Sequence, residues 1–186
     1  IFEAQPVAGG MLRLGIPEYR LPRELVKMEI NAILSLGVEL KVGLRLGRDF
    51  TLSDLRAQGF KAVFVAIGAH KGRDLEIPGV DLDGVLKGVD FLLNVNMGYR
   101  LDLGKKVVVV GGGSVALDVA RTALRAAVSE ETISPQINIV TALDIARSAV
   151  RFGIKEVHVA SLESLEEMPA APEELAQARE EGITFH

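Results

Sequence analysis

The chain has 186 residues, 48% of them hydrophobic and 25% charged, with a net charge of −4. That balance suits a globular α/β protein of one large or two small domains. It gives no electrostatic reason to expect nucleic acid, which calls for clustered Lys and Arg, and no apolar run nears the roughly 20 residues that cross a bilayer.

No signal peptide is evident, so the expected compartment is the cytoplasm. There is no cysteine, which excludes disulfides, a thiol redox pair, cysteine-ligated zinc and a cysteine-held iron–sulfur cluster within this chain. The histidines His70, His158 and His186 are far apart in sequence and lack metal-ligand spacing, so no metal site is expected.

Ile1-Phe2-Glu3-Ala4 reads as the end of a strand. Residues 5–22 are rich in Gly and Pro, the chemistry of turns. Leu25, Met28, Ile30, Ile33, Leu34 and Leu36 recur at helical spacing, and Gly37 stops the helix. Val38 to Leu46 alternates like a strand, with Val38, Leu40, Val42 and Leu44 on one face. Thr51 to Leu55 reads as a capped short helix. Ala62 to Ile67 is a continuous apolar run, the pattern of a strand buried on both faces, and Gly68-Ala69 ends it. Residues 70–104 form a connector with a helix over Val89–Asn96, and a composition shift near residue 80 marks the expected boundary between two lobes.

Lys105 to Val110 is a β-branched strand, followed by a helix from about Ser114 to Ala127. A polar stretch with Pro135 interrupts the pattern. A second helix from about Ile137 to Phe152 closes at Gly153. Glu156–Ala160 is a strand, Ala171–Glu181 an acidic helix, and Gly182 to His186 a strand just beginning. Val115–Arg125 and Thr141–Arg151 echo one another almost residue for residue, which suggests a local duplication. Both chain ends look cut, so an internal piece of a longer protein is expected.

The motif that carries chemistry is Gly111-Gly112-Gly113-Ser114-Val115-Ala116. It fits the dinucleotide fingerprint in its Gly/Ala form. Gly111 permits the tight turn out of the strand. Gly113 lets the backbone approach a pyrophosphate, and Ala116 is small enough for the helix to pack on the sheet. The helix N-terminus offers free N–H groups and partial positive charge, to which Ser114 adds a hydroxyl. A strand before, an amphipathic helix after and a second strand beyond supply the required context. An acidic residue past that second strand accepts hydrogen bonds from the ribose of NAD and repels the 2′-phosphate of NADP. Glu163 is the candidate. It stands well beyond the usual spacing of roughly 20 residues, and the repeated helix accounts for the excess. NAD(H) is therefore expected over NADP(H).

Further segments surround this motif. They are Phe2-Glu3-Ala4, Gly9-Gly10-Met11-Leu12-Arg13-Leu14-Gly15-Ile16-Pro17-Glu18-Tyr19-Arg20-Leu21-Pro22, Val65 to Ala69, Ile77-Pro78-Gly79, Val89 to Leu92, Gly111–Arg121 and Glu167-Met168-Pro169-Ala170. Together they resemble the two-dinucleotide flavoproteins of the glutamate synthase small-subunit type. NADPH-ferredoxin oxidoreductases and the flavin domain of dihydropyrimidine dehydrogenase are relatives of that group. The resemblance covers nearly the whole chain except an insertion at about 127–152.

The resemblance implies an α/β fold, with a Rossmann-like βαβ nicotinamide-binding domain (80–186) joined to the later part of an FAD-binding domain (1–79). On the FAD side it implies that Glu3 holds the ribose, that Gly10, Met11 and Leu12 run along the nucleotide, and that Ile67, Gly68 and Ala69 form the strand-end turn closing over it. On the nicotinamide side the residues are Gly111, Gly113, Ser114, Val115, Ala116 and Glu163. Hydride would pass from nicotinamide to flavin, and electrons onward to an iron–sulfur partner subunit or domain. No side chain stands out as a catalytic acid or base.

The chain departs from the family pattern in three ways. The first strand and glycine-rich FAD loop do not precede Ile1, which puts FAD binding by this piece alone in doubt and leaves FAD to the full-length protein. Leu162-Glu163 stand where the family's NADPH enzymes carry paired arginines. The repeated helix is inserted. The competing reading is a non-catalytic nucleotide-binding or scaffold domain of an electron-transfer complex.

Overall fold

The computed structural model describes residues 1–99, 101, 103–126 and 154–186. The expected helix at 137–152, its closing Gly153, the insertion and the second copy of the echo lie outside the described residues. The chain divides into two compact units, Ile1–Lys71 and Gly72–His186. The division falls earlier than the composition shift near residue 80.

In the first unit β1 (Phe2–Glu3) runs parallel to β2 (Lys41–Val42), with Phe2 opposite Lys41. Three helices accompany them: α1 (Gly10–Leu14), α2 (Arg23–Leu34) and α3 (Leu52–Ala57). The Phe2 ring lies 4.7 Å from Phe50 and 6.3 Å from Phe60, centroid to centroid, so three aromatic rings bring β1 beside the start of the 60–67 run. Arg23 donates to the carbonyls of Leu12 at 3.2 Å and Ile16 at 3.0 Å, which closes the Gly/Pro-rich loop. At α3, Thr51 Oγ1 accepts from the Asp54 amide and Asp54 accepts from the Thr51 amide, the reciprocal cap that its sequence promised.

Three expectations for this unit are corrected. The strand expected over Val38–Leu46 is a two-residue ladder. Gly43 adopts φ +73° and turns the chain out of the extended region. The buried stripe of α2 is Val26, with Ile30 and Leu34 half-buried, at i, i+4, i+8; Leu25, Met28, Ile33 and Leu36 face solvent. The stripe packs towards Gly9, where an added Cβ would meet Val26 Cγ1 at 3.1 Å and Ile30 Cδ1 at 3.5 Å. Ala62–Ile67 belongs to no ladder, and Phe64 is 93% exposed. A strand buried on both faces needs strands beside it and layers above and below, and among the described residues none pairs with this run.

The second unit is a parallel three-stranded sheet in the order β3 (Lys106–Val110), β4 (Glu156–Ala160), β5 (Thr184–Phe185). Parallel neighbours need crossovers, and α5 (Ser114–Ala126) and α6 (Pro172–Glu180) lie in the two connections. With α4 (Gly88–Asn96) they surround one core: α5 touches β3, β4, α4 and α6. The core holds Phe91, Leu92, Val109, Leu117, Ala120, Val157 and Val159. Strand period 2 turns Val107 and Val109 of β3 towards this core and leaves Val108 and Val110 on the opposite, open face.

Between α5 and the C-terminal end of α6, Glu181 accepts from Arg121 Nη2 at 2.8 Å and Arg125 Nη2 at 2.7 Å. Burial pushes the Glu181 carboxyl up, but the two guanidinium bonds outweigh it and hold it below the usual glutamate range.

Candidate functional site

The carboxyl ends of β3 and β4 lie side by side, and the glycine turn leaves from there. The Gly111 amide donates to the Ala160 carbonyl at 2.8 Å, fixing the turn to the end of the neighbouring strand. In open parallel sheets, ligands bind at this end of the strands. Gly111 sits at φ +128°, a conformation L side chains rarely adopt, which suits a tight turn out of the strand. The Gly113 carbonyl accepts from Ala116 at 2.9 Å and Leu117 at 3.2 Å and so opens α5. The amides ahead of Ala116 have no intrahelical acceptor, as at any helix start. A Cβ on Gly113 would meet nothing within 4 Å, and the backbone there is open to approach. Ala116 Cβ lies 3.6 Å from where a Gly111 Cβ would be, so the small residue does keep the helix close to the turn. Ser114 begins α5, and Val115, 53% exposed, follows it on the open side.

Gly112 was given no role by the sequence, yet it is the most confined of the three glycines. It is buried. A Cβ there would lie 2.6 Å from Ser161 Oγ, 3.0 Å from Met168 Cγ and 3.3 Å from Ser161 Cβ. Its carbonyl accepts from the Ala170 amide at 3.2 Å. The segment after β4 therefore folds back onto the turn. The available sequence sign was the second of three consecutive glycines, at a position the fingerprint leaves free.

Glu163 lies in this segment. Its carboxylate accepts the Ser161 hydroxyl hydrogen bond, and its amide donates to Ser161 Oγ at 3.3 Å. The Ser161 bond holds its carboxyl below the usual glutamate range. Leu162 beside it is fully exposed. In the first unit, Glu3 Oε1 accepts from the Gln5 amide at 2.8 Å; Gly10, Met11 and Leu12 open α1, with Gly10 at φ +51°; and Ile67, Gly68 and Ala69 end the extended run, with Gly68 at φ +69°. His158 and His186, distant in sequence, are adjacent in space: their ring nitrogens lie 2.9 Å apart, and Glu156 is 3.3 Å from His158. Among the described residues, no group of three or more His, Cys, Asp or Glu is arranged to hold a metal. Among the same residues, no helix is long and apolar enough to cross a membrane.

The family model described as pyridine nucleotide-disulphide oxidoreductase matches residues 6–186. The chain belongs to this family. It has no cysteine, so the disulphide of that description has no counterpart here. Over its whole length it is 40% identical to the beta subunit of NADP(+)-dependent formate dehydrogenase from Moorella thermoacetica and 32% identical to the glutamate synthase [NADPH] small chain of Halomonas elongata. It spans 23% and 36% of those two proteins. A solved structure of Mycobacterium tuberculosis FprA in complex with NADPH superimposes with a TM-score of 0.69 at 25% identity, covering 97% of this chain and 40% of that one. The α/β fold and the resemblance to the glutamate synthase small-subunit group therefore hold.

The expected preference for NAD(H) does not hold. All three of these proteins are named for NADP(+) or NADPH. The acidic-residue rule was applied to Glu163 by its place in the chain, and its carboxylate is engaged by Ser161 within its own loop.

Proposed function

We propose that this chain is the nicotinamide-binding part, with an adjoining piece of the FAD-binding part, of an oxidoreductase that takes hydride from NADPH to FAD and passes electrons to an iron–sulfur partner. The observation that carries the reading is the Gly111–Ala116 turn at the carboxyl ends of two parallel strands, in a chain matched by the family almost from end to end. Bound nicotinamide and flavin supply the hydride chemistry; the protein supplies position and electrostatics. Gly113 leaves its backbone clear for the pyrophosphate, the α5 N-terminus offers unpaired amides to it, and Ser114, Val115 and Ala116 form the floor beneath. Glu163 stands at the adenosine end. In this reading residues 80–186 hold the nicotinamide dinucleotide. Residues 1–79 contribute Glu3, Gly10, Met11, Leu12, Ile67, Gly68 and Ala69 to the FAD side. The iron–sulfur acceptor and a cytoplasmic location belong to the same reading.

The test uses the full-length protein. It should purify yellow and bleach when NADPH is added without oxygen. A colourless protein that still binds NADPH would favour the scaffold reading, and a yellow protein that NADPH fails to bleach would overturn the proposed electron donor.

A further inference from the structure

The fingerprint explains the first and third glycines of the turn and leaves the second unexplained. The buried Gly112 touches the segment that follows β4 at both of its ends. At the near end, Ser161 is fixed by its amide donating to the His186 carbonyl at 3.0 Å, and its hydroxyl lies over Gly112 while bonding Glu163. At the far end, buried Met168 packs over Gly112 and Ala170 hydrogen-bonds to it. Between those ends the chain turns through Leu162, Glu163 and Ser164. Ser164 and Glu167 bond to each other at 2.8 Å, so the stretch between the two anchors is itself ordered.

We propose that Gly112 is a positioning residue that sets the adenosine-side wall of the dinucleotide site, by leaving room for Ser161 to hold Glu163 and for Met168 to seat the loop Ser161–Ala170. The proposal rests on the reading of the turn as a dinucleotide site and adds a residue to it. A Cβ at 112 would force Ser161 or Met168 to shift. With a methyl group at 112, Ser161 can make room by rotating its hydroxyl away, since its backbone is tied into the sheet, and that rotation releases Glu163, whose freed carboxylate then repels a 2′-phosphate. Otherwise Met168 must move out of the core. Either way the loop that faces the phosphorylated ribose shifts, while Gly111 and Gly113, which serve the turn and the pyrophosphate, stay in place.

The experiment is a double-mutant cycle on the full-length protein, with Gly112→Ala, Ser161→Ala and the pair. The probe is adenosine 2′,5′-bisphosphate, which presents the adenosine end without the nicotinamide. Gly112→Ala should weaken its binding about tenfold in the wild-type background and less than about twofold when Ser161 is already alanine, because contacting residues couple and distant ones add. Equal losses in the two backgrounds, or no loss in either, would overturn the proposal. The backbone amide resonances of Ser161, Glu163 and Ala170 give a second measure that needs no ligand. Gly112→Ala should shift all three and leave those of α4 unmoved, and unshifted loop amides would also overturn the proposal. If the wild type binds neither the bisphosphate nor NADPH while the loop amides do respond, the dinucleotide reading fails and the coupling stands.

Discussion

A single methyl group at Gly113 should separate folding from binding if the turn holds a dinucleotide. Nothing lies within 4 Å of the position a Cβ would take, and Gly113 is not among the glycines at positive φ. Gly113→Ala should therefore leave thermal stability within about 0.5 kcal/mol of the wild type, as for substitutions away from packed features. It should weaken NADPH binding in the full-length protein by roughly tenfold or more, since the methyl stands where a pyrophosphate must approach. Calorimetric titration beside a thermal melt reads both effects. Equal losses of stability and affinity would make Gly113 an ordinary structural glycine. The local geometry at Gly111, Gly113 and Ala116 was legible in the sequence because it depends on neighbours within the same turn. Gly112 was not, because the atoms that confine it belong to Ser161 and Met168, brought in by the second strand. Glu163 was found by the same local rule, but a rule of position says nothing about a neighbouring hydroxyl, and that hydroxyl is where its carboxylate goes.

Elements followed the sequence where an apolar pattern is long and of one period. The β3–turn–α5 unit and β4 appear with nearly the expected bounds, because a β-branched run and an amphipathic helix that cover one another specify each other. Shorter segments were less legible: α2 buries Val26 while Leu25 and Met28 face solvent, and the ladder at Lys41–Val42 is shorter than its alternation implied, because Gly43 turns the chain away. The tie between α5 and the end of α6 carried no sequence signal, because Arg121 and Glu181 are far apart in the chain. It has a measurable consequence. Arg121 and Arg125 both donate to one partly buried carboxylate, and bonds to charged groups contribute roughly 1.5–3 kcal/mol. Glu181→Gln should lower unfolding stability by about 2 kcal/mol in a denaturant titration. The wild type should show the matching pH dependence. The folded carboxyl titrates below the ordinary value of 4.5, so the unfolded chain takes up the proton first as pH falls. The contribution is complete above that ordinary value and is lost as pH drops through the lower, folded one. Glu181→Gln should flatten this acid limb, and an unchanged limb would mean that the two arginines do not stabilise the folded carboxylate.

In the whole molecule, the two units differ in what holds them. Among the described residues the second unit buries a continuous core from Phe91 to Ile183, while the first buries Leu14, Val26 and Leu55. Protection against hydrogen exchange follows burial and ladder position. The amides of Val157 and Val159, in the strand paired on both sides, should exchange slowest, and those of Val63 to Ile67 should exchange at close to the rate of an unfolded chain. Comparable protection in the two places would contradict the exposure of the 62–67 run. A two-lobed organisation could be read from composition, because a glycine- and proline-punctuated connector interrupts the apolar periodicity. The unequal cores could not, since hydrophobic content is similar along the chain and only packing tells which residues find neighbours. The same exposed run has a practical side. Ala62-Val63-Phe64-Val65-Ala66-Ile67 has no charge, no proline and no glycine, and most of it is exposed. Such six-residue segments template intermolecular cross-β stacking. Lys61 on one side, with Lys71 and Arg73 on the other, supply the like charges that act as gatekeepers against it. If these cations guard the run, raising the salt concentration, which screens them, should promote precipitation of this polypeptide, and unchanged solubility with salt would remove that role from them.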